Sequence, residues 1–200
     1  MKPPVLVDLP TRELRRYLAK RDPASKARFF MDGLFLPRRV RRGQWHRRTE
    51  PFDLHPIYAL LEHLLDEERS RSEHIEALHR YYRARGKTED QAEEKIARSL
   101  DKYLERYRGL ARNMAENGYV AGLGKDEIGV AIGPEGEFIK VANGNHRLAV
   151  ARLAGVSQVV GEIQFVHRDW LRRQSSRRDA DEAVLHALRS LNARRNPADS

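Results

Sequence analysis

The chain has 200 residues, 40% hydrophobic and 34% charged, and its 38 Lys and Arg outnumber 29 Asp and Glu for a formal charge of +9. That balance allows a folded core with solvated arms, excludes global disorder, and favours polyanionic partners. The absence of cysteine removes disulfides, thiolate metal sites and cysteine nucleophiles. No apolar run approaches the roughly 20 residues of a bilayer span, and the early Pro3, Pro4 and Asp8 do not make a secretory signal, so a cytoplasmic protein is expected.

Taken in chain order, Thr11 is a cap for a short helix carrying Leu14, Tyr17 and Leu18 on one face and ended by Asp22-Pro23. From Phe29 to Pro56 the punctuation by Gly33, Pro37, Gly43 and Pro51 predicts irregular structure pinned by aromatics such as Trp45 and Phe52. A long helix is predicted from Pro56, with Ile57, Leu60, Leu61 and Leu64 at helical spacing. It runs through the acidic stretch at 66–68 to Ile75, Leu78 and Tyr82, and Gly86 closes it. A second helix starts at the Thr88-x-x-Gln91 capping signature, presents an apolar stripe from Ile96 through Tyr103, Tyr107 and Leu110 to Met114, and stops at Asn117-Gly118. The stripe is read as core packing.

Residues 127–132 and 138–141 then read as a hairpin around Gly133-Pro134-Glu135-Gly136. Asn143-Gly144 breaks the second strand, 147–154 is helical, 158–166 is another strand, and Asp179 caps a last amphipathic helix through Leu191. The expected architecture is α+β: a small mixed sheet with a strand–Asn-Gly–helix site, braced by a long helical pair. The expected division is a basic irregular segment over 1–55, a helical brace over 56–118, a phosphate-binding core over 119–175, and a terminal helix and frayed tail over 176–200.

The chemistry concentrates at Asn143-Gly144-Asn145-His146-Arg147. A helix start offers unpaired backbone N–H groups and a positive dipole end, glycine permits a close backbone approach, and a guanidinium fork matches phosphate oxygens. Such a turn is an anion cradle; a plain strand-to-helix turn with Arg147 paired to a neighbouring acid is the other reading of the same spacing.

The stretch from Gly136 to Gly155, GEFIKVANGNHRLAVARLAG, resembles the ParB/sulfiredoxin-like superfamily, whose members read as hydrophobic strand, Asp-Gly-x-His-Arg, then an alanine-rich helix ending in Leu-Gly. Glu127-Ile128-Gly129-Val130-Ala131-Ile132-Gly133 before it and His167-Arg168-Asp169-Trp170 after it are similar to one bacterial branch. The likeness covers residues 117–171 closely. It implies a nucleotide- or phosphoester-binding protein, in some branches a phosphotransferase or ATPase. Phosphates would be held by Gly144, Asn145, His146 and Arg147, with Asn143, Glu137, His167 and Arg168 as accessories. Magnesium (Mg2+) would accompany a nucleoside triphosphate. Asn145 stands where sulfiredoxins carry their cysteine, which excludes their chemistry. Asn143 stands where the free-serine kinases of this fold carry an acid, and an amide cannot act as a base. Glu127, Glu135 and Glu137 are the nearby carboxylates.

Outside the motif, the run Arg38–Arg48 with Trp45 inside it is an electrostatic footprint for nucleic acid, as in an adaptor protein, with Trp45 read as an anchor more than as a stacking platform. His55, His63, His74 and His79 show no zinc-ligand spacing.

Overall fold

In a computed structural model, residues 4–19, 39–124 and 126–174 are described, with residues 182, 185 and 186 beyond them. Of the helix expected from Asp179 through Leu191, the described residues Glu182, Leu185 and His186 are helical; Arg38 lies outside the described residues. Seven described strands build one mixed sheet: β1 (Leu6–Pro10), β2 (Arg16–Leu18), β3 (Val40–Arg41), β4 (Thr49–Pro51), β5 (Ile128–Ile132), β6 (Phe138–Ala142) and β7 (Gln158–His167). The spatial order is β1-β7-β5-β6-β2-β4, with β3 pairing the end of β7. β5 runs parallel to β7 and antiparallel to β6, so the expected hairpin forms, with an irregularity at Gly129/Val130.

The segment expected to be irregular contributes four strands. Val5, Val7 and Leu9 are buried because β1 lies antiparallel along β7, from Leu6 opposite Glu162 to Pro10 opposite Gln158. The helix expected after Thr11 is a single 3-10 turn, Thr11–Glu13, followed by β2. Leu14, Tyr17 and Leu18 have helical spacing, but Tyr17 pairs with Lys140 of β6 and with Glu50 of β4, and non-local pairing overrides so short a pattern.

The helices are α1 (Pro56–Leu65), α2 (Arg71–Ala84), α3 (Glu89–Asn117), α4 (Asn145–Leu153) and α5 (Arg168–Gln174). The first expected helix is thus two. At the break Asp66 is extended, and Ser70 opens α2 with a reciprocal box: its Oγ accepts from the Glu73 N–H, while a Glu73 carboxylate oxygen accepts from the Ser70 N–H at 2.8 Å. Ser70→Ala removes the acceptor and is expected to cost about 1 kcal/mol in urea unfolding. The second helix is as expected: Thr88 Oγ1 accepts from the Gln91 N–H, and Gly118, at φ 71°, ends it.

One sheet face packs on the helices through Val7, Leu9, Val130, Phe138 and Ile163 against Leu61, Leu64, Leu78 and Leu148. The other carries a small cluster of Trp45, Ala131, Ile139 and Phe165. β5 is buried along its whole length because it is central and covered on both faces.

Candidate functional site

Asn143 and Gly144 both take positive φ, 40° and 68°, which turns the chain from β6 into α4. At Gly144 a Cβ would lie 2.9 Å from Ile128 Cα and 3.0 Å from its Cγ1, so the turn packs on the backbone of β5 and glycine is required twice over, by conformation and by space. The first intrahelical bond is donated by Leu148 N–H to the Gly144 carbonyl at 2.9 Å. The amides of Asn145, His146 and Arg147 precede it, and no side chain caps this end. In contrast, α1, α2 and α3 carry acceptors at His55, Ser70 and Thr88.

This turn opens into a cleft of about 870 Å³, with Asn143, Gly144, His146 and Arg147 on one wall and α3 from Ser99 to Met114 on the other. Gly118, Val120, Leu123, Gly124 and Asp126 close one side. Asp126 is the one acid among the described residues that line it, against Lys102, Arg106 and Arg147.

Arg147 answers to both readings of its sequence position. Its Nη1 donates to Glu127 Oε2 at 3.3 Å, while Nη2 is buried with no hydrogen-bond partner among the described residues. Glu127 is more tightly held elsewhere, accepting from Tyr119 O–H and Gly122 N–H at 2.6 Å each. The Tyr119 ring lies 5.5 Å below the guanidinium in cation–π contact. Burial and the Glu127 carboxylate raise the Tyr119 hydroxyl above its ordinary pKa. Glu127 is therefore the acid that anchors Arg147 and the 118–124 loop, and it is not free to act as a base. Gly124 leaves room for the same guanidinium, since a Cβ there would sit 2.9 Å from Arg147 Cζ.

His146 lies flat on Tyr107, centroids 5.4 Å apart and planes 2° from parallel, and Tyr103 stacks on Tyr107 at 5.7 Å. Burial, with Arg106 and Arg85 nearby, lowers the His146 pKa, so the ring is neutral at pH 7 and acts as a hydrogen-bonding group. Tyr107 is buried, as the core reading of its stripe requires, yet it also lines the cleft. One face of α3 serves both purposes.

Asn145 does not line the cleft; it turns to His55, with Nδ2 and Nε2 3.4 Å apart. His55 Nδ1 accepts from the Ile57 N–H, and burial, with Lys140, His146 and Arg85 nearby, lowers its pKa to about 4. The neutral ring therefore carries its proton on Nε2, and the carboxamide must offer its oxygen to it. Behind the turn lies Lys140, 1% exposed, donating from Nζ to the Ala142 carbonyl at 2.5 Å. Burial lowers its pKa to about 7. Sequence reasoning missed Lys140 and His55, and also Lys102 and Arg106. A lysine inside a strand reads as solvent-facing, and nothing local places α3 opposite the motif.

Three expected accessories are elsewhere. Glu137 and Asn143 flank β6, whose length sets them roughly 20 Å apart. Glu137 instead accepts from the Glu135 N–H inside the hairpin turn. His167 ends β7 and Arg168 follows it, and that end of β7 pairs beside Ile132 and hence beside the hairpin turn. His167 Nε2 donates to the Gly43 carbonyl at 2.9 Å and its Nδ1 accepts from the Asp169 N–H. That is a structural histidine, held by backbone at both ring nitrogens. Arg168 reaches its neighbour Asp169 at 3.4 Å. These residues share the far end of the sheet with Trp45, which is 5% exposed and packs edge-on to Phe165 at 5.0 Å. Trp45 is an anchor and its faces are not available to a base. Arg39 and Arg41 donate to the Ile163 and Val40 carbonyls.

Among the described residues, His79, Glu89 and Glu93 are the only group of His and acid donors close enough to share a metal ion, and Arg83 pairs with Glu89 at 2.9 Å. No described helix is long and apolar enough to cross a membrane. No protein-family model matches the chain, and no curated protein or solved structure matches it either.

Proposed function

We propose that this chain binds a nucleotide or a small phosphoester, with the phosphate on the first turn of α4. The observation that carries the reading is the uncapped start of that helix, set behind a positive-φ Asn-Gly turn and opening into a cleft lined by three cations and one acid. Backbone amides and the dipole end attract phosphate there, and Arg147 retains an unpartnered Nη2 to add a charge-assisted bond. The resemblance of residues 117–171 to the ParB/sulfiredoxin-like superfamily points the same way. His146 would contribute a neutral hydrogen bond and Asn145 chiefly its backbone amide, because its side chain faces His55.

Phosphotransfer or ATP hydrolysis would need a carboxylate. Asn143 cannot take up a proton, and Glu127 is committed to Tyr119, Gly122 and Arg147. Asp126, exposed at the cleft wall, is the acid left for that role. One carboxylate beside a triphosphate is a donor set that suits magnesium, which keeps several waters and takes most remaining oxygens from the phosphates. Asp126 and the amide oxygen of Asn143 would face the ion.

Calorimetric titration with ATP, CTP and GTP, with and without magnesium, tests the reading beside Arg147→Ala. The folded wild-type protein is expected to bind one of them saturably, and the variant to bind it about 100-fold more weakly through lost charge-assisted bonds. No heat from any nucleotide with a folded wild-type protein would overturn the proposal. Retention of single-stranded RNA that survives Arg147→Ala would move the function to the Arg38–Arg48 segment and an adaptor role.

A further inference from the structure

The cleft is not uniform along its length, and its gradient runs along α3. At the end nearer the start of that helix the wall carries Lys102 and Arg106. At the other end it carries Leu110, Met114, Val120 and Leu123, with Val120 43% and Leu123 75% exposed. Twelve residues separate Lys102 from Met114, about 18 Å at the helical rise of 1.5 Å per residue. The phosphate-holding turn faces α3 between these ends, since His146 stacks on Tyr107.

Lys102 and Arg106 are four residues apart on one helix face, where like charges repel. Among the described residues neither has a carboxylate within ion-pair distance, although Arg98, one turn earlier, is paired with Glu94 at 2.7 Å. The Arg106 guanidinium lies 5.7 Å from the centroid of Tyr107, the ring that stacks on His146. Two adjacent cations without counter-charges, one of them beside the ring that stacks on His146, are placed to meet more than one phosphate. At the opposite end the apolar side chains exposed on the 118–124 loop lack a partner that a flat ring would supply.

We infer that the cleft is built for a nucleoside di- or triphosphate in one orientation: base between α3 and the 118–124 loop at Met114 and Leu123, first phosphate on the α4 turn, distal phosphates on Arg106 and Lys102. This rests on the nucleotide reading above and adds the phosphate count and the direction of the ligand. Lys102 and Arg106 are then specificity determinants for chain length, and Leu123 is a contact for the base.

The test is a calorimetric series with the mono-, di- and triphosphates of adenosine, cytidine and guanosine. It is run on the wild-type chain, on Lys102→Ala/Arg106→Ala and on Leu123→Ser, with circular dichroism to show that each is folded. Wild-type affinity is expected to rise by about tenfold or more from mono- to triphosphate. In the double variant the gain in affinity from mono- to triphosphate should disappear. Leu123→Ser should weaken all three alike. Equal wild-type affinity for mono- and triphosphates, or a double variant that loses all three equally, overturns the inference while leaving the nucleotide reading intact. Failure of every nucleotide to bind the folded wild-type protein overturns both.

Discussion

Gly144→Ala is expected to unfold at markedly lower urea and to lose ligand binding, whereas Gly155→Ala should be much milder. The two glycines have nearly the same backbone, φ 68° and 70°, so each substitution incurs the left-handed penalty of about 1–2 kcal/mol. Only at Gly144 does the new Cβ meet backbone, 2.9 Å from Ile128 Cα; at Gly155 nothing lies within 4 Å. Forcing a methyl against a central strand adds about 1–3 kcal/mol, so the Gly144 variant should lose about 2–5 kcal/mol in all. Gly129→Ala probes the same joint from the other side. Its Cβ would fall on the Ala142 carbonyl oxygen and 2.8 Å from the carbonyl carbon. Equal unfolding midpoints for the Gly144 and Gly155 variants would falsify the claim that β5 packs directly on the Asn143-Gly144 turn.

Lys140→Met is expected to stabilise the protein at neutral pH, and the gain should shrink as the pH rises. Lys140 is 1% exposed, no carboxylate lies within ion-pair distance among the described residues, and burial lowers its pKa to about 7. The unfolded chain holds that proton up to about pH 10.4. Between these values the unfolded state binds more protons than the native one, so wild-type stability rises with pH through that window. Below about pH 7 the penalty is present in full, on the order of 5 kcal/mol at 1.36 kcal/mol per pKa unit. Methionine fills similar space without the charge but gives up the bond to the Ala142 carbonyl. The net gain at pH 7 should therefore be about 2–4 kcal/mol. Urea unfolding of both proteins from pH 6 to pH 10 gives the comparison. A difference that stays constant with pH, or a destabilised variant, would mean that Lys140 keeps its charge through an interaction that burial alone does not describe. A buried lysine behind the Asn143-Gly144 turn is therefore a stability cost carried by β6.

Much of the fold was legible because the relevant choices are local. Thr88, Asn117-Gly118, the Gly133–Gly136 turn and Asn143-Gly144 act through their own backbone preferences and nearest hydrogen bonds. The ends of α3, the β5–β6 hairpin and the start of α4 fall where those residues require them. Ser70 and Glu73 carried an equally local signal, hidden by an apolar spacing that continued on either side of the break. The site was legible as a motif for the same reason. Asn143, Gly144, His146 and Arg147 line one cleft.

What the sequence by itself determined, then, is the set of local turns, caps and apolar faces, each governed by atoms a few residues apart. Only the tertiary structure decided which of them meet. β1 and β2 exist as strands because β7, β6 and β4 supply their partners, and no local propensity in such short segments competes with a ladder of hydrogen bonds. Glu127 reaches Arg147 across twenty residues of sequence, while Glu137, only six residues before Asn143, is held a full strand length away. Lys140 is buried because helices cover that face of β6, and Lys102 and Arg106 join the site because α3 packs beside α4. Closing loops of this length costs chain entropy that is repaid only by burial of the whole core, so the second wall of the cleft is a property of the folded chain and of no segment within it.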